Sequence, residues 1–417
     1  MAEREADGAS LRRNFSWTLL GNLVFHASQY GLLVIIAKRG TPEALGQFAF
    51  ASALASPVLQ FLNLQLSVVQ ATDVTRETRF STYFMLRLLT TALGLAVIAA
   101  VGVLAADSSS TLAIVLAVGA MKAAESLSDL CYGLFQQRER MARTSTSLIL
   151  RGILSAAAFL VALPHGGLGM AALAAAGAWL LVFLFHDWPS VSGILGAAPP
   201  PPVQGSSSSL RTLLAVALPL GVVSLLLALN PNIPRYFIEH SLGPRSLGYY
   251  AAAGSLTAPG LLIVASLTQP AAARLARAHH EDDRRAFVHL LSRLVGVAAA
   301  IGMAGVALSV VAGRPILTLL YRSDYGDYAS VMTWAMIAGA FGCIGSALGQ
   351  GMSSARKFRI QTVVLTASVA AGAAACLLLV PRNGLEGAAQ SWSIAMAIFM
   401  LGGIVVNGSI VRNLSAR

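Results

Sequence analysis

Long apolar runs, separated by short polar turns, set the limits on what this chain can become. Runs of about 18–25 residues, enough to cross a bilayer as a helix, recur twelve times. They fall near 17–37, 44–66, 82–106, 111–135, 145–163, 168–186, 211–232, 247–269, 288–311, 329–351, 361–380 and 385–407. Hydrocarbon offers no partner to an unpaired N–H or C=O, so each run must be helical, and all are far too long for barrel strands. Charged residues make up 11% of the chain, against about 25% in soluble domains. The expectation is an all-α polytopic membrane protein with twelve transmembrane helices, not a globular enzyme around one large core.

The runs divide evenly. Between the sixth and seventh lies GILGAAPPPPVQGSSSSL, residues 193–210, whose prolines and serines read as a flexible cytoplasmic linker. The predicted organisation is a six-helix lobe over 1–192, the linker over 193–210 and a second six-helix lobe over 211–417. An internal repeat supports the division. PEALGQFAFASALASP (42–57) aligns with PRSLGYYAAAGSLTAP (244–259) at an offset of 202, with Pro42, Gly46 and Pro57 matching Pro244, Gly248 and Pro259. An offset of six spans preserves orientation, so the repeat is parallel and its axis lies along the membrane normal, an arrangement suited to a cavity between two lobes. Pro57 and Pro259 are hinge candidates, with a static kink as the alternative. HGGLGMAALAAAGAW (165–179) and NGLEGAAQSWSIAM (383–396) open the sixth and twelfth spans with small residues that permit close helix approach.

The formal charge of +11 is mostly a topology signal. With the N-terminus inside, 18 of the 29 Lys and Arg fall on the cytoplasmic side, among them Arg138, Arg140, Arg277, Arg284 and Arg356, and 7 on the other. The positive-inside rule then places both termini in the cytoplasm; nucleic acid is not an expected partner. NPNIPR (230–235) reads as the end of the seventh span, and PILTLLY (315–321) as a short re-entrant or interfacial piece. Cys131, Cys343 and Cys376 lie inside apolar runs without metal-ligand spacing, so neither a disulfide framework nor a metal site is expected.

The fourth span, AVGAMKAAESLSDLCYGLF, holds Lys122, Glu125 and Asp129 at i, i+3 and i+7, one face of a helix that Tyr132 and Gln136 continue. Charge inside a membrane is costly, so this face must meet protein or water. It forms either a structural ion pair or the wall of a hydrated cavity. Arg87 and Arg151 enter neighbouring spans at a depth similar to Asp129, about 10 Å in at 1.5 Å per residue, so an Arg87–Asp129–Arg151 cluster is possible. Arg293 holds a comparable place in the ninth span. For each arginine, snorkelling to headgroups competes with a cavity role. Asn22, His26 and Gln29 on the first span, and Asn63 and Gln65 on the second, are weaker candidates for cavity hydrogen bonds.

A twelve-helix chain in two lobes, with LGQFAFASAL after the first span and KAAESLSDLCYGLFQQRERM in the fourth followed by SLILRG (147–152), resembles the bacterial polysaccharide and O-antigen flippases. These form the polysaccharide branch of the multidrug/oligosaccharidyl-lipid/polysaccharide superfamily. The resemblance implies a non-enzymatic carrier in the inner membrane. It would move undecaprenyl-pyrophosphate-linked repeat units by alternating access, for O-antigen, capsule or exopolysaccharide. It implies membrane lipids, polysaccharide polymerase and export machinery as partners and no cofactor; a coupling ion, proton or sodium, stays open. Lys122 would then face the pyrophosphate. The alternatives are a cation-coupled multidrug exporter of the same superfamily, a membrane glycan polymerase or ligase, and a purely structural membrane protein. No GxSxG, HExxH or Walker-type loop supports catalysis, and DYGDY (324–328) reads as the cap of the tenth helix.

Overall fold

The computed structural model describes the backbone of residues 2–73, 78–106, 108–196 and 210–415, with side chains from Trp17 to Leu414 in those ranges, Leu19 apart. All regular structure among the described residues is helical: α1 (Ala2–Arg39), α2 (Pro42–Leu62), α3 (Leu66–Thr72), α4 (Phe80–Ala105), α5 (Ser109–Gln137), α6 (Met141–Val182), a π-helical turn (Phe183–Asp187), α7 (Trp188–Gly196), α8 (Leu210–Ser255), α9 (Ala258–His280), α10 (Arg284–Leu320), a 3-10 turn (Ser323–Tyr328), α11 (Ala329–Ser354) and α12 (Phe358–Ser415). The linker expected over 193–210 falls mostly on 197–209, outside the described residues; only its ends continue α7 and begin α8.

Nine helical stretches, two of them running across a short turn, are long and apolar enough to cross a membrane among the described residues. The three longest are each broken at glycine, at Gly166–Gly167, Gly243 and Gly384. Dividing them there is consistent with the expected twelve spans. Gly167 (φ +66°, ψ −163°) and Gly243 (φ +79°, ψ +173°) sit where essentially only glycine is comfortable. A Cβ on Gly243 would meet nothing within 4 Å, so Gly243→Ala isolates backbone strain from packing. It is expected to cost about 1–3 kcal/mol, read as a lowered thermal midpoint of the detergent-purified protein. Large apolar side chains such as Leu104, Phe185 and Val311 stand outside the packed interior, as lipid-facing residues must.

Two expectations about helix ends fail. The prolines of NPNIPR do not end the seventh span: α8 runs through Pro231 and Pro234 until Gly243. PILTLLY is not a separate re-entrant piece, because α10 continues through Pro315 to Leu320. Both follow from the solvent. In lipid a released backbone carbonyl has no water to bond, so proline bends a helix more readily than it ends one. The paired prolines also differ. Pro57 lies inside the unbroken α2, whereas Pro259 follows a two-residue turn and takes the first turn of α9.

By contact the chain forms two compact units. One comprises Met1–Ile36 with Ala51–Leu225, the other Ala37–Phe50 with Leu226–Arg417. In the first, Gly21 of α1 is pressed against Ser145 of α6, where a Cβ would stand 2.7 Å from the Ser145 Cα, and Gly152 of α6 is pressed against Ser28. These small-residue contacts hold α1 and α6 close. In the second unit the two copies of the repeat meet reciprocally: a Cβ on Gly46 would overlap the carbonyl oxygen of Pro244, and one on Gly248 that of Pro42. Arg245 Nε to Glu43 Oε1 at 3.5 Å and the Arg322 Nη1 donation to Gly40 O at 3.3 Å flank this contact.

Candidate functional site: a charged pocket in the first unit

The apolar periodicity of α5 buries one side of the helix and leaves Lys122, Glu125, Asp129 and Tyr132 along another. These four form one wall of a pocket of about 400 Å³ that lies wholly in the first unit. Asn22, Phe25 and His26 of α1 face it, as do Ser56, Leu59, Gln60 and Asn63 of α2 and its C-terminal turn, and Thr144, Leu148 and Arg151 of α6. Its volume falls in the range of small-molecule sites.

The charges are distributed in three different ways. Lys122 Nζ donates to Glu125 Oε2 at 2.7 Å, with both side chains about a third accessible. Arg87 of α4 is completely buried behind the wall and donates from Nη2 to Asp129 Oδ2 at 3.0 Å; its Nη1 donates to Ser126 Oγ at 3.1 Å and also to Asn63 Oδ1. Ser126 Oγ donates to the same Asn63 oxygen. Arg151 is 1% exposed. Its guanidinium lies 4.2 Å from the Trp179 ring centre and 5.4 Å from that of Phe25, with Nη1 donating to Tyr132 Oη at 3.1 Å. Arg87 and Asp129 therefore pair as expected, but Arg151 joins Tyr132, one turn further along α5, and two aromatic rings instead of Asp129. Desolvated cation–π contacts contribute about 2 kcal/mol, which helps a guanidinium stay inside without a carboxylate.

Beside the pocket the second span breaks. Asn63 to Gln65 form a turn in which Leu64 and Gln65 hold φ of +52° and +51°. A broken helix at membrane depth is tolerated where it is packed in protein or lines a cavity, and the turn delivers the Asn63 carboxamide to Arg87 and Ser126. Positive φ in two non-glycine residues is strain held by the surroundings.

Of the sequence candidates, Asn22, His26, Asn63, Lys122, Glu125, Asp129 and Arg151 line the pocket. Arg87 stands behind Asp129. Gln29, Gln65 and Arg293 are not lining residues: Gln65 Nε2 donates to Ser224 Oγ at 2.7 Å, and Arg293 is an exposed residue of α10 in the second unit. Gln136 is exposed beyond the end of the stripe. Sequence reasoning missed Ser56 and Gln60, although their i, i+4 and i+7 spacing with Asn63 marks one helix face. It also missed Asp187, buried in the π-helical turn and 2.9 Å from His186 Nδ1. Among the described residues no group of three or more His, Cys, Asp or Glu could hold a metal ion.

A family described as "Polysaccharide biosynthesis protein" matches residues 11–275. The capsular polysaccharide biosynthesis protein CapF of Staphylococcus aureus is 22% identical over 391 residues, 93% of this chain and 97% of its own length. Two solved structures share the fold at low identity. The lipid II flippase MurJ in an inward closed conformation aligns with a TM-score of 0.74 and 13% identity, over 96% of this chain and 90% of that one. A mutant form of the MATE transporter VcmN of Vibrio cholerae aligns with a TM-score of 0.70 and 14% identity over the whole of both chains.

Proposed function

The chain belongs to the polysaccharide biosynthesis protein family, and from that premise we propose that it is a flippase for undecaprenyl-pyrophosphate-linked oligosaccharide repeat units in the bacterial inner membrane. The fold is that of multidrug/oligosaccharidyl-lipid/polysaccharide superfamily transporters. The observation that carries the reading is the pocket itself: charged and amide side chains meet in a cavity walled by membrane-length helices. A saccharide cannot cross hydrocarbon unaided, because each of its hydroxyls loses water without gaining a partner. Asn22, Gln60 and Asn63 offer amide partners, and Lys122 a cation, while the polyprenyl tail remains in lipid. Both termini lie in the cytoplasm on this reading, as the basic residues predict.

The cation-coupled exporter remains the second reading. Both pocket carboxylates are already engaged by cations, Glu125 by Lys122 and Asp129 by Arg87, which disfavours a hydrophobic cation as cargo. In a deletion strain, surface polysaccharide is expected to disappear while lipid-linked units accumulate on the cytoplasmic leaflet. Complementation with Lys122→Ala is expected to leave polysaccharide at least about tenfold below wild type at equal membrane abundance, the loss of one charge-assisted contact. Unchanged polysaccharide and lipid intermediates, with no second flippase present, would sink the proposal.

A further inference from the structure

α10 is the least buried of the membrane-length stretches, and its outward side is not uniformly apolar. Phe287, Leu291, Ala298 and Gly302 point into the packed interior. The opposite side carries Arg285, His289 and Arg293, all exposed. Their i, i+4 and i+8 spacing sets them in line along one helix face. The following turns of that side hold Gly296, Ala300, Met303 and Ala307, also exposed and all uncharged.

Length fixes the depth of this stripe. The twenty residues from Leu294 to Gly313 carry no charge. The 21 steps from Arg293 to Arg314 rise about 31 Å at 1.5 Å per residue, close to the thickness of a hydrocarbon core. Arg293 and Arg314 thus stand at the two headgroup levels, and on the topology proposed above Arg293 is on the cytoplasmic side. The two ends of the second unit use their cations differently. Its ion pairs among the described residues are Arg245–Glu43 at 3.5 Å and Arg314–Asp327 and Arg322–Asp324 at 3.4 Å, all at the outer end on that topology. Arg285 and Arg293 have no ion pair among the described residues, although Glu281–Asp283 precede them in the chain. Of these acids, Asp283 is committed to capping the helix, accepting from the Ala286 N–H at 2.9 Å. Topology explains how many cations lie at this end. It does not require that they stand unpaired and in line on the side of a helix turned away from protein.

We propose that this face of α10 binds an anionic phospholipid of the cytoplasmic leaflet. Its phosphate is received on the turn of His289, between Arg285 one turn before and Arg293 one turn after, and an acyl chain lies along Gly296 and Ala300. The site goes beyond the flippase reading and does not depend on the cargo. Guanidinium forks suit phosphate oxygens, and an arginine at this depth extends to the level where anionic headgroups concentrate. A Cβ placed on Gly296 would meet nothing within 4 Å, so a chain can approach the backbone there. The bound lipid then anchors the least buried span to one leaflet.

The test is native mass spectrometry of the full chain released from nanodiscs of equal phosphatidylglycerol and phosphatidylethanolamine. Wild type is expected to retain phosphatidylglycerol in preference by at least about tenfold, since each basic side chain near the headgroups contributes about fivefold. Arg285→Gln combined with Arg293→Gln is expected to remove the preference, whereas Arg314→Gln, at the other end of the same helix, leaves it unchanged. Gly296→Trp keeps both charges, fills the strip under the acyl chain and is expected to weaken retention several-fold. It serves as the readout where the double variant does not fold. A preference kept in the double variant, or lost equally in Arg314→Gln, would overturn the site. Polyprenyl pyrophosphate that displaces phosphatidylglycerol at equal concentration, and binds less to the same variants, would assign the stripe to the carrier lipid and overturn it. Displacement by inorganic phosphate alone would reduce it to a bare anion site and overturn it too. Every outcome is read without transport, so failure here leaves the flippase reading standing.

Discussion

Asp129→Ala is expected to destabilise the protein by about 3–5 kcal/mol, the cost of leaving a buried charge without its partner. Arg87 is wholly enclosed, and Asp129 is its only ion-pair partner among the described residues. Asn63 and Ser126 supply hydrogen bonds but no charge. The reverse change should cost less, since Arg87→Leu leaves behind a carboxylate with 39% of its side chain accessible, which water can reach. Arg87→Leu combined with Asp129→Leu should recover much of the stability lost in Asp129→Ala, because replacing both ions removes the unpaired charge. The measurement is the thermal midpoint of purified protein, with the fraction surviving detergent extraction as a second readout. Equal losses in both single variants would show that packing, not charge, governs this contact.

The second large effect lies in the other unit. Gly46→Ala and Gly248→Ala each place a methyl group where a backbone carbonyl already stands, that of Pro244 or of Pro42. A backbone oxygen cannot rotate aside as a side chain does, so the two helix starts must separate. Overpacking of this kind costs about 1–3 kcal/mol. Because both substitutions open the same reciprocal contact, the double variant should lose less than the summed single losses. Transport should suffer more than stability if the contact closes during the cycle, so surface polysaccharide and thermal midpoint should be measured on the same three proteins. Strict additivity would mean that the two glycines act in separate contacts.

The spans, the starts of the sixth and twelfth near HGGLG and NGLEG, and the α5 stripe were legible in the sequence because each rests on local pattern. Apolar length defines a helix in lipid, and i, i+3, i+7 spacing defines a face whatever packs against it. The failures have other causes. Proline was read by the rules of water at Pro231 and Pro234, and PILTLLY was set apart because it is too short to span alone, yet α8 and α10 continue through both. The turn at Asn63–Gln65 carries neither glycine nor proline, so nothing local marks it; it is stabilised by Arg87 and Ser126, distant in sequence. Arg151 likewise lies 28 positions from Trp179, and only the fold shows that the ring holds the guanidinium. Polar residues inside apolar runs could thus be located from sequence, and the Arg87–Asp129 pair anticipated, but not the partners of Arg151 or Asn63.

These partners decide how the site should work. Arg87–Asp129 braces the wall from behind, while Lys122–Glu125 keeps a partly accessible ion pair on the cavity side. Lys122 and the amides of Asn22, Gln60 and Asn63 line the cavity and are left to meet cargo. The carrier reading then reduces to whether a lipid-linked saccharide crosses a bilayer because this protein is in it. The direct measurement is reconstitution of purified protein into liposomes loaded with a polyprenyl-pyrophosphate-linked oligosaccharide, followed by the fraction of sugar accessible to a membrane-impermeant oxidant. Wild type should make inner-leaflet sugar accessible over time, with Lys122→Ala at least about tenfold slower. An accessible fraction that stays at its starting value, with correctly folded protein, would contradict the account.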